Sequence, residues 1–307
     1  MAKIDFLSLL DFDRPELESI LERAAETKRR WREGRRESPL AGKVLGLVFH
    51  KPSLRTRLSF EVGMRQLGGS ALYITDAEIG FRRRESIADI GAVMSRFLDG
   101  IMIRTFAQAD VVDLARAAAI PIINGLTDWA HPCQVLADLF TVRERGLALD
   151  GLSVAYLGDG NNVANSWVHA AMTFELDLRV ATPPGYEPDA ASLARIAQGG
   201  RGRVRLFQDP AAAVAGAQVI YTDTWASMGQ EAEAEARRRV FPPFQVNAAL
   251  LRGAHPQALV MHCLPAHRGE EITDEVIDGP QSIVYDQAGN RLHGQKGILL
   301  HCLGARR

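Results

Sequence analysis

The stretch KVLGLVFHKPSLRTRLSFEVG, residues 43–63, joins an apolar run to a polar loop and then to a second apolar pattern. A nearly continuous apolar run is typical of a strand buried on both faces of a parallel sheet. Pro52 and Ser53 end that run, and the spacing of the apolar residues after them predicts a helix beginning near Leu54. The stretch therefore predicts a strand–loop–helix unit, which is the building block of α/β folds.

The same unit recurs along the chain. Between the apolar runs lie stretches with helical spacing, so we predict an α/β fold with two domains, each a mainly parallel sheet flanked by helices. The helical pattern that starts at Pro132 ends in a glycine-marked turn at 146–151, where we place the domain boundary: residues 1–146 and 147–289. The predicted strands are 43–49, 71–74, 100–105, 120–124, 152–158, 178–182, 204–207, 218–223, 259–264 and 282–286.

Composition excludes several classes of protein. The 307 residues carry a formal net charge of −1, which argues against a protein that coats nucleic acid or an anionic membrane. Three cysteines do not form a disulfide framework, and the start of the chain lacks the features of a signal peptide. We expect a cytoplasmic protein without a membrane or nucleic-acid partner. The basic run KRRWREGRRES (28–38) fits a patch for an acidic partner, but Glu33 and Glu37 interrupt it and favour a solvated helix end.

Polar motifs follow six of the predicted strands. In open α/β sheets, ligands bind beyond the carboxyl ends of the strands, so three motifs in each half predict a cleft site between two domains. The six motifs are HKPSLRTR (50–57), RTF (104–106), NGLTDWAHPCQ (124–134), GDGNN (158–162), DTWASMG (223–229) and HCLPAHRGEE (262–271).

The first motif is suited to an anion. The backbone N–H groups at a helix start have no partners within the helix and lie at the positive end of its dipole. Hydroxyls from Ser53 and Thr56 and the guanidinium groups of Arg55 and Arg57 would add donors for a phosphate. Because two arginines one residue apart cannot face the same way on a helix, one of them is a candidate for an interface or a salt bridge.

The next motifs add polar groups for a carbonyl substrate. Arg104 ends a strand and His131 precedes Pro132, so both are candidate donors to a carbonyl oxygen, as in an oxyanion hole. Gln134 offers an amide of either polarity. GDGNN is a weak match to a dinucleotide-binding loop because its third glycine is missing, so we expect no nucleotide cofactor and consider a small polar ligand at Asn161 and Asn162 instead.

Two motifs in the second half place a carboxylate and a thiol at strand ends. Asp223 is a candidate partner for an ammonium group, and Cys263 precedes a helix predicted to start at Pro265, which would favour its thiolate. Zinc fits the histidines and cysteines poorly, because neither C-x-x-C nor H-E-x-x-H spacing occurs, so we expect no metal site.

Together, PSLRTR, RTF, HPCQVLADLFT, GDGNN, DTWASMGQE, HCLPAHRGEEITDEV and NRLH resemble the aspartate/ornithine transcarbamoylase family over nearly the whole chain. DTWASMG and HCLPAHRGEE resemble its ornithine branch. The resemblance implies transfer of the carbamoyl group from carbamoyl phosphate to the side-chain amine of L-ornithine, in arginine metabolism, without a cofactor. It also implies a carbamoyl phosphate domain on which the C-terminal helix 290–307 packs back, an ornithine domain, and a homotrimer or a multiple of trimers.

The resemblance assigns roles to individual residues. The catalytic residues would be Arg104, His131, Asp223 and Cys263. Ornithine would be bound by Asn162, Asp223, Ser227 and Met228. Carbamoyl phosphate would be held by Ser53, Leu54, Arg55, Thr56, Arg57, Arg104, His131, Gln134, Cys263, Leu264 and Arg291.

Two features leave alternatives open. FRRRES (81–86) resembles the loop that completes a neighbour's site in relatives, although its extra arginines leave the equivalent residue ambiguous. Leu54 stands where many relatives have Thr, and some acylornithine-specific relatives share this leucine. The runner-up is therefore an N-acylornithine or putrescine carbamoyltransferase. A nucleotide-binding oxidoreductase that uses GDGNN and a non-catalytic binding protein are the rivals from other classes.

Overall fold

The computed structural model describes residues 3–80, 85–227 and 229–304, and the chain divides into two compact units. Unit 1 contains residues 1–140 and 289–307, and unit 2 contains residues 141–288. Each unit has its own sheet and its own apolar core, as the alternation of strands and helices predicts.

Unit 1 is built on a four-stranded parallel sheet with the strand order β2-β1-β3-β4. The strands are β1 (Val44–Phe49), β2 (Ser70–Thr75), β3 (Gly100–Arg104) and β4 (Ile122–Leu126). The helices before and between them are α1 (Arg14–Arg32), α2 (Leu54–Gln66), α3 (Asp76–Ile79), α4 (Ile87–Met94) and α5 (Gln108–Ala117). Chain order reverses between β1 and β3, so the carboxyl ends of these two strands are where a ligand site is expected.

Unit 2 is built on a five-stranded parallel sheet with the strand order β7-β6-β5-β8-β9. The strands are β5 (Ser153–Leu157), β6 (Asp177–Ala181), β7 (Arg203–Phe207), β8 (Val219–Thr222) and β9 (Leu259–His262). Chain order reverses between β5 and β8, which places the expected ligand site of this sheet after those strands.

The remaining helices belong to unit 2 or run across the division of the chain. They are α6 (Pro132–Glu144), α7 (Asn162–Thr173), α8 (Ala190–Gly199), α9 (Pro210–Val214), α10 (Ala234–Val240), α11 (Ala248–Leu251), α12 (Asp274–Ile277) and α13 (Val284–Leu303). Short 3₁₀ turns occur at Leu9–Asp11, Glu231–Glu233 and Pro242–Phe244. Across the described ranges, no helix combines the length and apolarity needed to cross a bilayer.

Nine of the predicted strands are confirmed, and the tenth is wrong. Residues 282–286 contribute only an isolated bridge between Ser282 and Val260, after which Val284 begins α13. Val284 is fully buried whereas Tyr285 is 66% exposed. A short apolar run has the same composition in a buried helix start as in a strand, so periodicity alone could not separate the two.

Candidate active site

The start of α2 presents unpaired donors at the end of β1. Ser53 is the N-cap in an extended conformation, and its Oγ accepts from the Thr56 N–H at a long 3.4 Å. The Leu54 and Arg55 N–H groups make no hydrogen bond with the part of the chain that the structure describes. Since the positive end of the helix dipole adds to these donors, the position is suited to a phosphate or another anion.

Of the three cations near this helix start, two have protein partners. Lys51 Nζ lies 2.5 Å from an Asp128 carboxylate oxygen, and Arg57 Nε donates to Glu61 at 3.2 Å. The Arg57 guanidinium also lies over the Tyr73 ring, 4.3 Å from its centroid. Arg55 has no hydrogen bond or ion pair with any described residue, so it is the cation of this segment that is available to a ligand.

Arg104 lies at the end of β3, beside the start of α2. The pairing of β3 with β4 shifts register between Ile103 and Arg104, and the Arg104 carbonyl accepts from the His50 N–H at 2.9 Å. Such irregularities change the direction of a side chain at a strand end and are frequent next to active sites. The Arg104 residue is 7% exposed, so its charge is held in a largely desolvated position.

Arg291 of α13 connects the first residues of α2 with those of α6. Its two terminal nitrogens donate to Gln134 Oε1 at 2.5 Å and to Thr56 Oγ1 at 3.1 Å. A guanidinium group can only donate, so the amide oxygen of Gln134 faces Arg291, and its Nε2 donates to Asp138 at 2.8 Å. From the sequence, Gln134 could act towards a ligand either as a donor or as an acceptor. In the structure its oxygen and one amide hydrogen have protein partners, so it can offer a ligand its second amide hydrogen.

His131 lies directly before α6 and is 5% exposed. Burial lowers its pKa well below the usual value, and the nearby charges of Arg291, Arg104 and Arg55 lower the pKa further. The imidazole is therefore neutral at physiological pH, and a neutral imidazole offers one N–H donor. We call Ser53, Arg55, Thr56, Arg104, His131, Gln134 and Arg291 the cationic site.

Asp223 is the centre of the polar cluster in unit 2, directly after β8. Its two carboxylate oxygens accept from the Asn161 amide at 2.8 Å and from the Cys263 thiol at 2.9 Å. The Thr224 N–H donates to Asp223 at 2.8 Å as well. Asp223 is 8% exposed, and a buried carboxylate with these donors can pair with an ammonium group. We call Asn161, Asp223 and Cys263 the carboxylate site.

The GDGNN segment serves the geometry of unit 2. A Cβ on Gly160 would lie 2.3 Å from the Pro188 backbone nitrogen, so only glycine allows this close approach. The Asp159 carboxylate pairs with Arg237 at 3.0 Å, and burial raises its pKa to about 6 even though the Arg237 charge opposes the shift. Asn161 caps α7 by accepting from the Val163 and Ala164 N–H groups, and its amide orients Asp223. Asp159 and Asn161 therefore both have structural partners, which weakens the nucleotide interpretation.

The Cys263 segment differs from its prediction. No helix starts at Pro265: after β9 the chain forms turns until α12 begins at Asp274, so the expected helix dipole beside the thiol is wrong. Proline at a strand end is as typical of a turn as of a first helical turn, and here the Leu264–Pro265 bond is cis. The neighbour of Cys263 is the Asp223 carboxylate, to which the thiol donates its hydrogen.

A buried pair holds the segment after Cys263. His262 Nδ1 accepts from the Leu264 N–H at 2.8 Å, so its Nε2 carries the hydrogen and donates to Glu271 at 3.0 Å. The same Glu271 oxygen accepts from the His267 N–H at 2.6 Å. His262 and Glu271 are both fully buried, and Leu264 has a φ of +57°, a conformation that is rare for a side chain of this kind. The pair therefore fixes the backbone next to Cys263.

The remaining predicted residues are only partly constrained. Asn162 is the first residue of α7, and the Ser227 N–H donates to Gln230 at 3.0 Å. Leu54 points into solvent with 70% of its surface exposed, so its side chain makes no demand on a ligand at the helix start. Met228 and residues 81–84 of the predicted neighbour loop lie outside the described residues.

Two groups of side chains are close enough to consider as metal ligands. Asp223, His262 and Cys263 form one group, and His267, Glu270 and Glu271 form the other. In the first group both nitrogens of His262 are occupied, by Leu264 and Glu271, and the thiol is hydrogen-bonded to Asp223. An ion there would have to break these contacts, so the donor set fits a hydrogen-bonded network better than a metal.

The two halves of the chain match two family models. Residues 4–144 match the carbamoyl-P binding domain of aspartate/ornithine carbamoyltransferase, and residues 150–302 match its Asp/Orn binding domain. The chain belongs to the aspartate/ornithine carbamoyltransferase family. The resemblance inferred from the motifs is thus confirmed, and so is the predicted fold of two parallel-sheet domains.

Individual relatives match over nearly their whole length. The ornithine carbamoyltransferase of Symbiobacterium thermophilum is 58% identical over 298 residues, 96% of each chain. The anabolic ornithine carbamoyltransferase of Pyrococcus furiosus is 50% identical over 307 residues, 99% of this chain and 98% of that one. The solved structure of ornithine carbamoyltransferase from Pyrococcus furiosus superimposes with a TM-score of 0.95 at 50% identity, and covers 100% of this chain and 99% of that one.

Sequence reasoning missed the residues that support the site. Asp138, Arg237 and Glu271 hold Gln134, Asp159 and His262, respectively. Glu271 lies inside a quoted motif, but Arg237 belongs to a run of three arginines on α10 that reads as a solvated face. Only the tertiary contact distinguishes Arg237, which is 5% exposed, from its neighbours.

Proposed function

We propose that this chain transfers the carbamoyl group of carbamoyl phosphate to the side-chain amine of L-ornithine, giving L-citrulline and phosphate, in the biosynthesis of arginine. One observation carries the proposal: each sheet ends in a site of opposite charge, one with an uncommitted arginine at a helix start and one with a buried carboxylate. Those charges match a phosphate and an ammonium group. Family membership and relatives named anabolic ornithine carbamoyltransferase support the same reaction and direction.

The cationic site would bind carbamoyl phosphate. The phosphate would take the Leu54 and Arg55 N–H groups and the Arg55 guanidinium, because these donors are not used elsewhere among the described residues. The Ser53 hydroxyl donates to Thr56 Oγ1 at 3.1 Å and would turn from it to the phosphate. Arg57 would act in support, since Glu61 and Tyr73 already hold its guanidinium.

The carbonyl oxygen of carbamoyl phosphate would be stabilised by Thr56, Arg104 and His131. Thr56 Oγ1 accepts from Arg291, so its own hydrogen is directed elsewhere and is free to reach a carbonyl oxygen. Attack by the amine places negative charge on that oxygen, and prepositioned donors stabilise such charge strongly. Gln134 would use its second amide hydrogen on the carbamoyl group, with Arg291 holding Gln134 and Thr56 in place.

The carboxylate site would bind ornithine. Asp223 would pair with an ammonium group of the substrate, while Asn162, Ser227 and Met228 would contact the rest of it; Cys263 and Leu264 would line the position where the carbamoyl carbon is attacked. The amine must be neutral to react: for a pKa of about 10.4, deprotonation at pH 7 costs about 4–5 kcal/mol. The Cys263 thiol donates to Asp223 at 2.9 Å and would release this oxygen when the ammonium group of the substrate pairs with Asp223.

Each of the two domains would bind one of the two substrates. Residues 1–146, with the C-terminal helix 290–307, would bind carbamoyl phosphate, and residues 147–289 would bind ornithine. The hydrogen bonds that Arg291, in the C-terminal helix, donates to Thr56 and Gln134 support this assignment.

We also propose a cytoplasmic homotrimer, or a multiple of it, in which the loop 81–86 of one subunit completes a neighbour's site. Unit 1 exposes large apolar side chains at Leu54 (70%), Leu72 (53%) and Phe97 (78%), and an interface between subunits would remove such side chains from water. Light scattering on the purified chain should give three times the monomer mass or a multiple of that value, and a monomer would contradict this assembly.

One experiment tests the reaction itself. Ornithine, N-acetylornithine, putrescine and aspartate should be offered side by side with carbamoyl phosphate, and both carbamoylated product and phosphate measured. Ornithine should be preferred by a large factor, because only ornithine presents the side-chain amine together with a free α-ammonium and α-carboxylate. A preference for N-acetylornithine or putrescine would instead establish the runner-up activity.

A further inference from the structure

Unit 1 contains a cavity that lies outside the cationic site. It has a volume of about 120 Å³ and is lined by the end of α1, the 35–39 segment, the end of α2 and one face of α13. We call it the α1–α13 cavity. Its lining residues include Glu26, Arg30, Trp31, Leu67, Lys296 and Leu300.

Lys296 is the residue that makes this cavity unusual. Its side chain is 1% exposed, and its Nζ donates to Gln66 Oε1 at 3.1 Å. Within the described ranges it forms no ion pair with a carboxylate, and its other neighbour is the Trp31 ring, with the centroid 5.6 Å from Nζ. Burying a lysine ammonium without an anionic partner costs free energy. An anion that binds in the cavity beside Lys296 would reduce this cost.

Two other cations near Lys296 increase this cost further. The Arg36 guanidinium lies 3.7 Å from the centroid of Trp31, and Lys28 is a further nearby cation. Burial, followed by the charges of Arg36 and Lys28, lowers the pKa of Lys296 to about 8. A bound anion would offset both the burial of the ammonium group and its repulsion by Arg36 and Lys28, because it supplies an opposite charge next to Lys296.

The acidic residues of the cavity are already engaged. Arg30 pairs with Glu26 and also with Glu37, whose carboxylate oxygen lies 2.5 Å away. These ion pairs neutralise part of the basic run 28–38, as the interrupting glutamates of the sequence indicated. They leave Lys296 as the buried cation of the cavity without a carboxylate partner among described residues.

We propose that the α1–α13 cavity binds a small monocarboxylate, whose carboxylate group pairs with the Lys296 ammonium and whose hydrocarbon body packs on Trp31. Gln66 takes one of the three ammonium hydrogens, and the other two match the two oxygens of one carboxylate. Trp31, Leu67, Leu300 and Pro39 provide apolar surface for the body. Glu26 and Glu37 disfavour a dianion such as phosphate at the same place.

The volume sets the size of the ligand. At ~30 Å³ per water molecule, the cavity holds about four waters, which corresponds to a carboxylate with a short aliphatic chain. The site does not depend on the proposed carbamoyl transfer, and its test uses neither carbamoyl phosphate nor ornithine, so the two proposals can fail separately.

The test is calorimetric titration of the full-length chain with sodium butyrate, with butyramide as the neutral analogue of the same shape. Butyrate should bind wild type, and butyramide should bind at least tenfold more weakly. Lys296→Met should weaken butyrate at least tenfold, whereas Lys296→Arg should keep binding because it keeps the charge. The matched control is Lys43→Met, which removes a half-buried lysine that is paired with Asp99 and does not line the cavity, so binding should be unchanged.

Two further measurements separate a binding role from a structural one. Butyrate should change the tryptophan fluorescence of wild type but not of Trp31→Phe. Above pH 8 the affinity should fall about tenfold per pH unit, since only the ammonium form pairs with a carboxylate. The titratable and charged groups near Lys296 are Lys28 of α1, Arg36 of the following segment and His293 of α13, and Gln66 of α2 faces it as a neutral group. The same cavity is also lined by Glu26, Arg30, Arg35 and Glu37.

Three results would overturn the proposal. They are no heat of binding at tens of millimolar butyrate, equal binding by wild type and a folded Lys296→Met variant, and equal binding of chloride or phosphate at the same concentration. Folding of each variant is checked by its thermal transition, and Lys296→Met is expected to fold, because replacing an unpaired buried charge with an apolar side chain is often stabilising.

Discussion

The cationic site of unit 1 and the carboxylate site of unit 2 lie at equivalent places in their sheets but are built differently. Both follow the two strands between which chain order reverses. The cationic site leaves the Leu54 and Arg55 N–H groups and the Arg55 guanidinium unused by the residues that the structure describes. In the carboxylate site Asp223 already accepts from Asn161, Cys263 and Thr224. One site is open to an anion as it stands, whereas the other must exchange a hydrogen bond to admit an ammonium group.

The largest effect is expected for Asp223→Asn, which removes the charge of the carboxylate site. Loss of one partner from a buried, hydrogen-bonded charge pair costs about 2–5 kcal/mol, so kcat/KM for ornithine should fall on the order of 10³-fold. The measurement is steady-state citrulline formation with ornithine varied. Asp209→Asn, an exposed helix cap in the same unit, is the matched control and should be near wild type. A loss below tenfold would argue against an ammonium partner at Asp223.

Arg104→Ala tests the oxyanion role assigned to the cationic site. Removal of a prepositioned donor should lower kcat by about 10²-fold or more. The control is Arg116→Ala on α5, whose side chain is 77% exposed. Turnover close to wild type, measured at saturating concentrations of both substrates, would rule out this role for Arg104.

A neutral His131 has a consequence for stability. Its pKa is lowered in the folded state, so the unfolded chain takes up a proton first as pH falls below about 6.5, and stability is lost there. Wild type should therefore lose more stability than His131→Gln between pH 7 and pH 5. Urea transitions of both proteins at the two pH values measure this difference. Parallel losses in the two proteins would show that His131 is protonated in the fold.

The smallest effect is expected for Cys263→Ala, which removes one hydrogen bond to Asp223. A net contribution of about 1 kcal/mol predicts roughly a fivefold loss in kcat/KM for ornithine. Cys263→Ser should lose less, because its hydroxyl can still donate to the carboxylate. The pH–rate profile decides whether the thiol itself titrates during turnover, and an unchanged profile in Cys263→Ala would exclude that.

The sequence was sufficient for the sheets because buried parallel strands leave long apolar runs that local patterns can detect. It was also sufficient for the residues at the strand ends, since PSLRTR and HCLP lie directly after such runs. It failed at 282–286 and at Pro265, where an apolar run and a proline are each compatible with two backbone conformations. The pair Asp159–Arg237 could not be predicted, because its members are distant in sequence and only tertiary contact selects them. His262 and Glu271 lie in one quoted motif, but the motif alone does not show that their side chains meet.

The two sites should bind their ligands separately, one by cations and one by a carboxylate. The most direct test is the dissociation constant of carbamoyl phosphate for Asp223→Asn, measured calorimetrically at low temperature without ornithine. We expect the dissociation constant for Asp223→Asn to lie within about twofold of wild type, although this variant has lost ornithine use, and to increase greatly for Arg55→Met. Carbamoyl phosphate binding that fell as far in Asp223→Asn as in Arg55→Met would contradict this expectation.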